Sequence, residues 1–190
     1  MRGIKSVLVA TVLYTGAATL ANPAMADMSA IKALRVDDMR KLNFHAEPQA
    51  TYDVAFTGED GSDMTLAAFE GQITVLNFWA TWCAPCRAEM PGLSNLQTEL
   101  GSDDMQVVTI ATGRNPRPAM ERFFAEIEVD NLPLHADPKQ TLARSMGVLG
   151  LPITVVLDRD GMEIARLQGD AHWDSDSAKA IVAALVANGS

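Results

Sequence analysis

Two hydrophobic rhythms run along this chain. The continuous apolar runs ITVLNFWA (73–80) and MQVVTIAT (105–112) are rich in β-branched residues, which predicts strands buried on both faces. Elsewhere apolar residues recur at helical spacing. Met120, Phe123, Phe124 and Ile127 do so within 117–128, and Ile181, Val182, Leu185 and Val186 within 174–187. Both segments predict amphipathic helices. Residues 29–42, SAIKALRVDDMRKL, place Ile31, Leu34, Met39 and Leu42 near one face and read as a further helix. RAEMPGLSNLQTEL (87–100) reads as a helix that Pro91 should kink, since proline lacks the N–H and clashes with the preceding turn.

Turn chemistry divides the remainder. GEDG separates 51–57 from 63–67 as a hairpin, and DRDG separates ITVVL (153–157) from MEIARL (162–167) as another. Asp137 followed by Pro138 reads as an N-cap and first helical residue, opening a short helix that Gly147 can end. The order is therefore ββ, βαβα, a short helix and ββα. Such alternation argues for an α/β chain with a mixed sheet covered on both faces.

Composition then narrows the setting. Residues 1–26 combine basic Arg2 and Lys5, an apolar stretch over 7–21, Pro23 and the small-x-small site Ala24-Met25-Ala26. That is the order of parts in a signal peptide, with an apolar stretch short for a membrane span. An uncleaved anchor is the alternative, and both readings place the rest outside the cytoplasm. Residues 27–50 are expected to form an N-terminal helix and linker, and 51–190 the main domain. Without residues 1–26 the net charge moves from −9 to −11, because two basic residues and no acidic ones are lost. So acidic a surface argues against nucleic acid or anionic lipid as a partner. Methionines in the mature chain are scattered, which suits core filling and not a copper box.

Both cysteines lie in NFWATWCAPCRAEMP (77–91), where the first buried strand gives way to a helix. Cys83 would stand at the first turn, where unpaired N–H groups and the helix dipole favour a thiolate. Cys86 lies about one turn on, within reach of its sulfur, and Pro85 stiffens the turn between them. Attack by Cys83 on a partner disulfide followed by resolution through Cys86 is one use of such a pair. A zinc site is a second reading, but His45, His135 and His172 are far apart in sequence. A structural disulfide is a third, and so short a loop would stabilise little. A C-x-x-C that follows a strand and opens a helix points toward the redox pair.

The segment NFWATWCAPCRAEMP, with the FEGQ turn before it and GVLGLPITVVLD at 147–158, resembles the active-site framework of the TlpA/ResA/CcmG group of thioredoxin-fold thiol-disulfide oxidoreductases. The likeness runs from about Tyr52 to the C-terminus, and GDAHWDSDSA looks closest to TlpA. This resemblance implies a thioredoxin fold with an added N-terminal hairpin and helix. It implies Cys83 as nucleophile, Cys86 as resolving cysteine and the two as a redox-active disulfide. Pro152 matches the group's cis-proline, which helps hold a partner's extended backbone. Trp82, Ala84, Pro85 and Leu151 are then expected to contact the substrate, with Trp79 in the core and Trp173 packing near the last helix. Glu89 matches an acidic residue placed near the active site, where burial would raise its pKa and let it relay a proton to or from Cys86. Plain thioredoxin has an aspartate at the place of Asn77, so that proton route is closed here.

Three redox roles can be compared. An oxidant of the DsbA type would carry a helical insert before the cis-proline and a histidine between its cysteines, whereas Ala84 and Pro85 stand here. A Sco-like copper metallochaperone would need cysteines one residue further apart and a histidine near Leu149–Leu151. The expectation is a periplasmic protein-disulfide reductase that needs no cofactor. Family resemblance further implies a monomer recharged by a membrane thiol relay of the DsbD or CcdA kind. Its expected clients are proteins with cysteine pairs, in cytochrome c or in copper-site proteins and their chaperones.

Overall fold

The run ITVLNFW becomes β4 (Ile73–Trp79), in which all seven residues are buried at the centre of an eight-stranded sheet. It pairs in parallel with β5 (Met105–Thr112) and antiparallel with β7 (Ile153–Leu157). β8 (Glu163–Gln168) extends the sheet beyond β7, and β6 (His135–Asp137) lies parallel to β5. β1 (Asn43–Gln49) forms one edge, and the short hairpin of β2 (Phe56–Thr57) and β3 (Asp63–Met64) the other. The computed structural model describes residues 23–188. The expected signal segment before residue 23 lies outside them, and α1 (Pro23–Ala33) runs across the expected cleavage point at Ala26.

Successive side chains of β4 point to opposite faces. Val75 and Trp79 join the layer that holds Met90, Leu93, Leu96, Ile181 and Leu185 from α2 (Ala84–Leu100) and α5 (Asp176–Asn188). Leu76 and Phe78 join the opposite layer, with Phe56, Phe69 and Leu142 of the hairpin, its following turn and α4 (Thr141–Ser145). Asn77 therefore points to the α2 side, which decides the chemistry below. The parallel βα order and both apolar layers agree with the expected mixed α/β sheet of the thioredoxin fold. α3 (Arg117–Glu126) buries Met120, Phe123 and Phe124 as its periodicity predicts. Pro91 sits inside α2, which continues through it to Leu100.

Three expectations need correction. The helix expected over 29–42 ends at Ala33, and a 3-10 turn follows over Asp37–Lys41. Asp37 has φ +46, which breaks the helical path, and Val36 N–H donates instead to Ser177 Oγ of α5 at 3.2 Å. Residues 43–49, expected as linker, form β1. His45 Nε2 bonds Glu163 Oε1 on β8 at 2.9 Å, and Glu163 is in turn gripped by Arg166 at 2.7 Å. Asp137 ends β6 rather than standing next to the helix start, and Pro138 is not the first helical residue. Its carboxylate still caps α4 across the gap, accepting from Thr141 N at 2.9 Å and Ala143 N at 2.9 Å. Gly147, with φ +66, follows the helix as expected.

Candidate active site

Where β4 ends, Ala80–Cys83 turn the chain into α2. Cys83 is the N-cap in an extended conformation, and Pro85 falls in the first turn, where its missing N–H costs nothing. Cys86 N–H donates to Cys83 Sγ at 3.3 Å, and the two sulfurs are joined as a disulfide. The pair is unequal. Cys83 keeps 6% exposure and Cys86 has none, so an incoming sulfur reaches Cys83. The backbone before the pair is held by Asn115, whose Oδ1 accepts from Thr81 N at 2.8 Å.

Trp82 is 66% exposed beside Cys83 and lines a groove of about 300 Å³ with Thr112, Gln140, Arg144, Leu149 and Leu151. A second hollow of about 260 Å³ adjoins it, lined by Leu149–Ile153, Gln168 and Gly169. The Leu151–Pro152 bond is cis. Of the residues expected to meet a substrate, Trp82, Leu151 and Pro152 thus line one continuous cleft. Ala84 and Pro85 are exposed on the first turn of α2. Leu149, not singled out from the sequence, is 97% exposed on the same cleft.

Beneath the disulfide lies a polar network inside the apolar layer. Glu89, one turn after Cys86, is 4% exposed. Its Oε1 accepts from Asn77 Nδ2 at 2.8 Å, and its Oε2 from Ala171 N at 3.1 Å and Trp173 Nε1 at 3.2 Å. Asn77 Nδ2 also donates to Thr154 Oγ1 at 2.9 Å, on the strand that follows Pro152. Asn77 Oδ1 has no partner among the described residues. Burial pushes the Glu89 carboxyl up to about 7, and Asp170 adds to that rise, while the three donors hold it back.

Trp173 is therefore more than packing. Its ring is 1% exposed, and its N–H ends on the buried Glu89 carboxylate. No spacing rule could link residues 84 positions apart. Gly92 permits this arrangement: a Cβ there would stand 3.3 Å from Trp173 N and 3.3 Å from Asp174 Oδ1. Trp79 is core, as expected, against Phe123 and Phe124 at 5.6 and 5.4 Å. The histidines occupy separate surroundings: His45 on Glu163, His135 accepting from Glu59 N at 2.9 Å, and exposed His172 paired with Asp38.

Comparison with known proteins agrees with this geometry. Residues 45–182 match the family described as Redoxin. The thiol:disulfide interchange protein HelX of Rhodobacter capsulatus is 36% identical over 100 residues, covering 53% of this chain and 54% of that protein. The thiol-disulfide oxidoreductase ResA of Bacillus thuringiensis is 27% identical over 114 residues, covering 60% of this chain and 65% of its own length. The match thus spans between half and two thirds of these relatives. Among solved structures, one described as a thiol:disulfide interchange protein DsbE from Chlorobium tepidum superposes with a TM-score of 0.63 at 28% identity, covering 73% of this chain and 97% of that one.

Proposed function

Because this chain belongs to the Redoxin family, we propose that it is a thiol-disulfide oxidoreductase working as a reductase of client disulfides. The reading rests on one arrangement: a disulfide with a single reachable sulfur at a helix N-terminus, above a buried carboxyl whose pKa is about 7. In the reduced protein, the Cys83 thiolate attacks a client disulfide and releases one client thiolate. Cys86 then gives up its proton and attacks Cys83 Sγ, releasing the second client thiol and restoring the disulfide. Two electrons pass to the client together with one proton, that of Cys86, which Glu89 takes and returns to the departing thiolate. The client thiolate released first takes its proton from water. Glu89 is the base that takes the Cys86 proton, and its pKa near working pH suits that task.

Charge supports that direction. A strong oxidant stabilises its thiolate form. Here the group buried near Cys86 is an acid, so a thiolate beside it is penalised, the reduced pair is not stabilised as thiolate, and Cys86 is a poor leaving group when the disulfide is attacked. We place the protein in the periplasm, exported by residues 1–26 or anchored by them, and recharged by a membrane thiol relay of the DsbD or CcdA type. Its clients are cysteine pairs of cytochrome c or of copper-site proteins and their chaperones. Cys86→Ser should trap clients on Cys83 as mixed disulfides, separable on non-reducing gels and identified by mass. Absence of any Cys83-linked adduct in exported protein would contradict the reading.

A further inference from the structure

The cleft is electrically lopsided. The chain carries a net charge of −9, yet the loops at the Trp82 end of the cleft hold three exposed cations and no exposed carboxylate. Arg144 lines the groove opposite Trp82. Arg114 lies between Gly113, whose N–H donates to Asp137 O at 3.0 Å, and Asn115, which holds the loop before Cys83. Lys139 precedes Gln140, another lining residue, and an added Cβ on Gly113 would stand 2.9 Å from the Gln140 amide. The β5–α3 loop and the β6–α4 turn therefore lie against each other beside the nucleophile. Asp137, the one acid in this stretch, is buried as the cap of α4.

Among the described residues, no carboxylate pairs with Arg114, Lys139 or Arg144. Among the described residues the Arg144 guanidinium bonds only Gln140 Oε1, at 3.2 Å. Nearby Arg87 and Arg117 differ, since Glu126 neutralises the first and Glu59 and Glu121 the second. At the other end of the cleft, exposed Asp170 follows the lining residue Gly169. The cleft thus has a positive end and a negative end. Unpaired cations around a reacting sulfur raise the local concentration of an acidic partner even where the whole molecule is anionic.

We propose that this cleft selects client segments carrying carboxylates beside their disulfide, with the acidic flank seated on Arg114, Lys139 and Arg144. The inference rests on the reductase reading and adds the charge class of the client. The test uses the full chain, reduced, with cyclic C-x-x-C disulfide peptides that differ only in flanking Glu, Lys or Ser. Second-order exchange rates are compared at about 0.01 M and about 1 M salt, where the screening length falls from about 30 to about 3 Å. The Glu-flanked peptide should react on the order of tenfold faster than the Lys-flanked one at low salt. That ratio should collapse toward one at high salt. It should also shrink in Arg144→Gln, and further when Arg114→Gln and Lys139→Gln are added.

Equal rates for the two charged peptides at low salt would overturn the proposal, as would a faster Lys-flanked peptide, provided the Ser-flanked peptide is reduced. The salt series on the unaltered chain needs no variant to fold. If the Ser-flanked peptide is not reduced at all, the reductase reading itself falls and takes the inference with it.

Discussion

Replacing Glu89 by Gln should change how stability depends on pH, by an amount the structure predicts. Glu89 is shifted from an ordinary 4.5 to about 7 because burial disfavours its charge. A carboxyl with a raised folded-state pKa imposes no penalty below about pH 4.5. Stability is then lost as pH rises through the window from 4.5 to about 7, and the loss levels off above it. A shift of about 2.5 units corresponds to about 3 kcal/mol at full ionisation, of which about 2.5 kcal/mol accrues between about pH 5 and about pH 8.

Gln cannot titrate, and the site can accept it. The three groups facing Glu89 are all donors, from Asn77, Ala171 and Trp173. A Gln side chain would meet Ala171 and Trp173 with its carbonyl and turn its NH₂ toward Asn77. Asn77 can then flip, bringing its unpartnered Oδ1 to accept from both the introduced amide and the Thr154 hydroxyl. The assay is urea unfolding of the oxidised protein at about pH 5 and about pH 8. Between those pH values the original chain should lose about 2.5 kcal/mol more than Glu89→Gln, about 1 M in midpoint for a domain of this size. Every other titrating group is common to both proteins and cancels. Midpoints that move in parallel with pH would refute the claim that Glu89 titrates within the fold.

Trp173→Phe keeps a ring but removes one of the three donors to Glu89. Stability should fall by about 1 kcal/mol and the pH–rate profile of exchange should move to higher pH, whereas an unmoved profile would leave Trp173 with a packing role alone. Trp82→Ala should change stability by less than about 0.5 kcal/mol, as for most exposed sites. It should slow reduction of a folded client far more than reduction of a small uncharged disulfide, and equal slowing would count against a docking role. The bond to Asp38 raises the His172 pKa and lowers that of Asp38. The stabilisation this pair provides is present while His172 is charged and is lost as pH rises through its raised pKa. His172→Gln should therefore lower the Tm at about pH 6, and that deficit should fade as pH rises through the raised pKa.

Strands β4 and β5 were legible because burial on both faces demands an unbroken apolar run, and α2, α3 and α5 because one face of each is apolar. β1 was not. NFHAEPQ is an edge strand whose last four residues are exposed, so no burial pattern marks it. Its partner is distant in sequence: the backbone register sets Asn43 against Arg166 and Phe44 against Ala165, and a side-chain bond joins His45 to Glu163, 118 positions apart. β6 has three residues, too few for any period to show. The break at Asp37 depends on Ser177 receiving the freed Val36 N–H, another distant contact. In the site, C-x-x-C and GVLGLP stood out because their chemistry is local in sequence. The environment of Glu89 did not, since β4, β7 and the β8–α5 loop assemble it. Asn77 marked a departure from thioredoxin, but only the alternation of β4 against α2 turns it into a partner of Glu89.

A reductase needs a Cys83–Cys86 pair that donates electrons. The most direct test is the reduction potential of the pair, measured by equilibrating the protein with a defined thiol buffer. The scale runs from about −270 mV for thioredoxin to about −120 mV for the strong oxidant DsbA. A value at or below about −220 mV is expected for a reductase. A value near about −120 mV, at the oxidant end of that scale, would contradict the account and make the protein an acceptor of client electrons.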